Sequence, residues 1–360
     1  MRSLVKDYAG MIIIALLLVA GFGALGVFIQ RETPAEEVPA ISPTPFLQGE
    51  PDLLVDAPWL AENIDTIDVI LDLSDKETYD AGHLPGAVHI WWQDAMPQHA
   101  ANYGEGGALS NPEEASLTLH VPQDARIVVY DNNASERAAW FLWLLRTNGY
   151  GNAWLLDGGL AAWKGTGRSA ETEHHSLPDT ATPTPTWIQA NEIETGELAQ
   201  RIDDPSLTII DTRTPEQRED TINETIREGQ IPGSWSVPAP SVMRDDGTFR
   251  SPEELRDLFA PFGLTPESEI AIYGRFGSET GQVWLALHLA GYHNLRVYDD
   301  GWVHWGWNTD LPVEPLGTQP EPVATPATPA ATPASSPAAT PVASPMATPL
   351  ATPLATPGSS

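Results

Sequence analysis

The feature that most restricts this chain is the repetition of one ordered set of apolar runs and turns. The first block opens on the buried-strand run 68–73 (DVILDL) and the turn 82–87 (GHLPGA). It continues with the apolar run 126–130 (RIVVY), a polar loop, and a Trp/Leu-rich stretch over 137–148 that reads as a helix. The block closes on the strand run 153–156 (AWLL) and the turn Asp157-Gly158-Gly159. The second block runs through the same series: 207–211 (LTIID), 229–234 (GQIPGS), 269–273 (EIAIY), a loop, a helix over about 280–292, 295–298 (LRVY) and 299–302 (DDGW). Corresponding landmarks are roughly 140–147 residues apart, a spacing that fits a duplicated domain and is too long for a solenoid repeat. Short continuous apolar runs that alternate with helices predict an α/β fold, each block a mainly parallel sheet covered by helices on both faces.

The blocks are framed by segments that lack the composition of a core. Residues 10–29 carry no charge and are long enough to cross a bilayer as a helix. Arg2 and Lys6 precede them, so the positive-inside tendency keeps residues 1–9 in the cytoplasm and places the folded part outside. Cleavage of the apolar run as a signal peptide is the alternative, and it leaves a secreted chain. Residues 30–51 read as a Pro/Glu-rich spacer and residues 176–186 as a linker between domains at 52–175 and 187–316. The tail, 317–360, repeats Ala-Thr-Pro; it predicts polyproline-like chain without helix or sheet. A total of 49 acidic against 18 basic residues, net charge −31, excludes nucleic acid as a natural partner.

There is no cysteine in the 360 residues. That excludes disulfides, thiolate metal sites and any persulfide carried by the chain's own sulfur. The histidines, including His174, His175, His288, His293 and His304, show no metal-ligand spacing, and no motif calls for a cofactor.

The repeated turn Gly82-His83-Leu84-Pro85-Gly86-Ala87, the series Leu156-Asp157-Gly158-Gly159 with Trp163, and their counterparts Asp211-Thr212-Arg213, Ile231-Pro232-Gly233 and Gly301-Trp302 with Trp305 resemble the rhodanese family. The closest likeness is to its tandem thiosulfate and mercaptopyruvate sulfurtransferase branch. The resemblance implies two rhodanese-like domains and an active loop in the second. In that loop, backbone N–H groups and a helix N-terminus surround a cysteine sulfur. Here the strand 269–273 leads into Gly274, Arg275, Phe276, Gly277, Ser278, Glu279 and Thr280. The family cysteine falls on Gly274, and its place in the first domain falls on Asp131. No intact catalytic set is therefore expected. A loop of backbone donors with Arg275 fits an oxyanion such as sulfate or thiosulfate, or a carboxylate of a protein partner. Ser278 reads as an N-cap of the following helix, and His83 as a structural hydrogen-bonding residue. The expected function is a membrane-anchored, catalytically degenerate binding module. The alternatives are an active sulfurtransferase using sulfur supplied from outside the chain, and a purely structural envelope protein.

Overall fold

The computed structural model describes residues 52–91, 119, 121–177, 188–219, 227–318 and 320. The expected anchor, the spacer, most of the linker and the tail beyond residue 320 lie outside them. Among the described residues no helix is long and apolar enough to cross a membrane.

The first domain holds β1 (Leu54–Val55), α1 (Ala57–Asn63), β2 (Val69–Asp72), α2 (Lys76–Ala81), β3 (Ala87–His89), β4 (Ile127–Tyr130), α3 (Glu136–Thr147), β5 (Ala153–Leu156) and α4 (Gly159–Gly165). Its sheet is parallel throughout, in the order β1-β5-β4-β2-β3. All four residues of β2, β4 and β5 are buried. Both faces of the sheet are therefore covered, which is why these strands read as unbroken apolar runs.

The second domain holds α5 (Thr195–Arg201), β6 (Leu207–Asp211), α6 (Pro215–Arg218), β7 (Ser234–Ser236), α7 (Pro252–Phe259), β8 (Glu269–Tyr273), α8 (Gly281–Ala290), β9 (Leu295–Val297) and α9 (Gly301–Trp307). Its sheet, again parallel, runs β7-β6-β8-β9. A parallel bridge from Glu192 to Val297 stands where β1 stands in the first domain. The strand orders therefore coincide, element for element.

The repeated Gly-x-x-Pro-Gly turn does the same work twice. His83 and Glu171 form an antiparallel bridge, and so do Gln230 and Glu314. The Gly86 N–H donates to the Glu171 carboxylate at 2.7 Å, and the Gly233 N–H to the Glu314 carboxylate at 3.0 Å. Tyr130 and Tyr273, which end β4 and β8, receive the N–H of Leu84 and Ile231 on their hydroxyls, each at 3.1 Å. The turn thus ties the last segment of each domain to the strand that delivers the functional loop. His83 is fully buried, its ring nitrogens 2.8 and 3.0 Å from the carbonyl oxygens of Glu171 and Glu173. That is a structural position.

α3 and α8 follow the two loops, and both are apolar around nearly their whole circumference. A helix of that kind has to be buried on every side. Here Trp140, Leu144, Val283 and Leu287 share one core that runs through both domains, and the loops at the helix N-termini are brought to the domain boundary.

Candidate functional site

In the first domain β4 ends at Tyr130 and the chain enters 131–136. Ala134 and Ser135 both adopt left-handed backbone, φ 51° and 63°, which curls the loop around the side chain of Asp131. The Asp131 carboxylate accepts from Asn133 N at 2.7 Å, Ser135 N at 2.9 Å and Ala138 N at 2.8 Å. Burial pushes its pKa up, while the backbone donors pull the other way. The nest of this domain is filled by the chain's own carboxyl group.

The second loop is built differently. β8 ends at Tyr273 and the chain passes Gly274 into a 3-10 turn, Gly277–Glu279, before α8 starts at Gly281. The residue before α8 is Thr280, whose hydroxyl donates to the Gly277 carbonyl at 2.5 Å. Ser278 lies inside the 3-10 turn, so the expected N-cap role does not fall to it. Its backbone is already committed to a tighter turn one residue ahead of the helix. From the other side, Trp302 N and Val303 N at the start of α9 donate to the carbonyls of Gly274 and Arg275, at 2.9 and 3.1 Å.

Gly274 heads this loop, and it is closely surrounded. A β-carbon there would lie 2.8 Å from the Phe276 carbonyl oxygen, 3.0 Å from Glu279 Cβ and 3.0 Å from Thr212 Oγ1. Thr212 is itself held by its hydroxyl to the Tyr273 carbonyl at 3.1 Å. The space beside Gly274 is therefore filled by the loop itself and by Thr212.

Glu279 closes it. Its Oε2 accepts from Arg275 N at 2.9 Å, and its Oε1 from Arg275 Nε at 3.2 Å and Gln217 Nε2 at 3.0 Å. Gln217 is oriented by the capping box of α6, in which Thr214 N donates to Gln217 Oε1 at 2.7 Å, so that the amide nitrogen faces Glu279. Burial pushes the Glu279 carboxyl up, Arg275 opposes that, and Glu136 across the domain boundary adds to it. Arg275 also lies over the Phe276 ring, 4.8 Å from its centroid.

Six of the seven loop residues expected at the site thus have described surroundings, and Arg275 and Glu279 meet. Glu279 stood in the sequence only as one member of the loop, because its reach back to Arg275 leaves no trace in the spacing. Gln217 carried no signal beyond its capping-box spacing. Gly277 belongs here for a reason of its own: a β-carbon would overlap the buried Asp299 carboxylate. Among the described residues no group of three His, Cys, Asp or Glu side chains could hold a metal ion.

The rhodanese-like domain pattern matches residues 56–166 and again 194–306, more than half of the chain. This protein belongs to the rhodanese-like family. The chain is 29% identical over 282 residues to the sulfur carrier protein TtuD of Thermus thermophilus, spanning 74% of this chain and 97% of that one. It is 30% identical over 281 residues to a putative thiosulfate sulfurtransferase of Haloferax volcanii, with coverage of 73% and 96%. The crystal structure of the 3-mercaptopyruvate sulfotransferase SseA from Escherichia coli superposes with a TM-score of 0.56 at 25% identity, over 70% of this chain and 99% of that one. Two of these relatives are named as sulfurtransferase or sulfotransferase, and the present chain contains no cysteine.

Proposed function

We propose that this protein is a catalytically degenerate tandem rhodanese that serves as a binding module, held outside the cytoplasm by an N-terminal anchor. The observation that carries the reading is Gly274. It supplies no sulfur, and the space a side chain would need is already taken by the Phe276 carbonyl, Glu279 and Thr212. A persulfide needs a thiolate, which no side chain of this sequence provides. The partner chemistry that fits is protein-borne: two domains sharing one core present a preformed surface, and the anion donors of both loops are engaged internally. The anchor reading rests on the uncharged run 10–29 with Arg2 and Lys6 before it.

A second reading is favoured by the relatives, one named a sulfur carrier and another a putative thiosulfate sulfurtransferase. It has this chain transferring sulfane sulfur delivered on a partner's thiol. A thiosulfate–cyanide assay on the purified full chain, with and without a dithiol acceptor, separates the two. The expected result is no turnover above background in either arm; sustained turnover would sink the non-catalytic reading. Gly274→Cys is the companion. Because the new β-carbon meets backbone at 2.8 Å, the variant should unfold several degrees lower than the wild type and remain inactive. Full activity from this single change would show that only the sulfur had been lost.

A further inference from the structure

Both loops carry a carboxylate engaged with loop donors, buried at Asp131 and largely buried at Glu279, yet the two come from different positions. In the first domain the acid is Asp131, at the head of the loop, and it takes three backbone N–H groups. In the second domain the head is Gly274, and the acid comes from the far end, at Glu279. We propose that Glu279 is a built-in ligand of the second loop, an autoinhibitory contact that keeps the wild-type loop closed to small oxyanions such as sulfate or thiosulfate.

Three observations support this. The donors converge on two carboxylate oxygens, as they would on two oxygens of a tetrahedral anion: Arg275 N on one, Arg275 Nε and Gln217 Nε2 on the other. The arrangement is set before any ligand arrives, since the α6 capping box fixes the Gln217 amide. Glu279 also packs closely beside Gly274, its Cβ standing 3.0 Å from where a β-carbon of residue 274 would be, so any side chain there would press on it. An acid tethered within the same loop acts at a high effective concentration, so a free anion at ordinary concentrations does not displace it. Glu136, which repels Glu279 across the boundary, would repel an incoming anion as well. The opened site is therefore a weak one.

The inference rests on the reading of this loop as non-catalytic, and it is tested by binding rather than by turnover. Sodium sulfate and sodium thiosulfate are titrated calorimetrically into the full chain at constant ionic strength. Wild type, Glu279→Ala, Glu279→Gln and the double variant Glu279→Ala/Arg275→Ala are compared. The wild type should show no saturable heat up to roughly 10 mM anion, whereas Glu279→Ala should bind with a Kd in the low-millimolar range. Adding Arg275→Ala should weaken that binding about tenfold or more. Glu279→Gln keeps the size and removes the charge, so it carries the test if Glu279→Ala does not fold. Equal binding by wild type and the Glu279 variants overturns the proposal, as does no gain in either variant, or a gain that survives loss of Arg275. Turnover in the thiosulfate–cyanide assay would instead strike the non-catalytic reading, so the two failures are told apart.

Discussion

The demands of the second loop are concentrated on glycines whose missing side chains are occupied by something else. At Gly277 a β-carbon would fall inside the buried Asp299 carboxylate and lie 2.8 Å from the Asp299 carbonyl oxygen, so that even if the carboxylate swings aside the backbone contact remains. Gly277→Ala should therefore lower stability by about 1–3 kcal/mol, seen as a midpoint several degrees lower in thermal unfolding. A variant as stable as wild type would mean that the Asp299 contact is not made in solution. At this scale the sequence was partly legible. The order Gly-Arg-Phe-Gly-Ser-Glu-Thr after an apolar strand marked the loop between β8 and α8. Spacing could not show that Glu279 folds back on Arg275 N, because a reversed side chain leaves no periodicity. Nor could it show that the amide of Gln217, 62 residues away in sequence, completes the donor set.

The elements that read most clearly were those with one kind of environment along their whole length. β2, β4, β5, β6 and β8, buried on both faces, appear in the sequence as apolar runs, and α3 and α8 as longer ones. Short helices such as α2, α5 and α6 mix charges with a single buried side or none, and a run of four to seven residues is too brief to establish a helical period. What sequence could not give is how closely α3 and α8 approach. A β-carbon on Gly281, the first residue of α8, would overlap the backbone of Ala139 and Trp140 in α3. Elsewhere a helical glycine is a weakness: Gly196 in α5 has open space around it, and Gly196→Ala should raise stability by about 0.5–1 kcal/mol. Gly281→Ala should do the reverse. The helix has to move away from backbone that cannot yield, and the loss should be about 1–3 kcal/mol or more. Paired thermal melts of the two variants check this, and a Gly281→Ala variant as stable as wild type would refute the close approach.

For the molecule as a whole, two blocks that read as separate domains on a linker prove to share a core, with Trp140 and Leu144 of one packed in the same cluster as Val283 and Leu287 of the other. Polar ties cross the same boundary: Gln282 donates to the Ala134 carbonyl at 2.6 Å, and Phe249 N donates to Asp157 Oδ1 at 3.0 Å. Asp157 belongs to the Asp-Gly-Gly turn that closes the first block in sequence, and its partner lies 92 residues away, which no local pattern reveals. Burial pushes its carboxyl up to about 6, Asp246 adds to this, and the Phe249 N–H and Arg244 oppose it. A carboxyl raised on folding binds more protons in the folded state than in the unfolded chain. Its contribution to stability is thus fully present below the unfolded value near 3.8 and is lost as pH rises through about 6. Asp157→Asn keeps an oxygen to accept from Phe249 N and never ionises. The variant should match the wild type near pH 4, where Asp157 is largely protonated, and should melt a few degrees higher at pH 7.5, where the buried charge burdens only the wild type. Taking the difference between the two curves cancels the titration of the many other carboxylates. A gap that stays constant from pH 4 to 7.5 would show that Asp157 titrates normally, and that the domain boundary there is wetter than this packing implies.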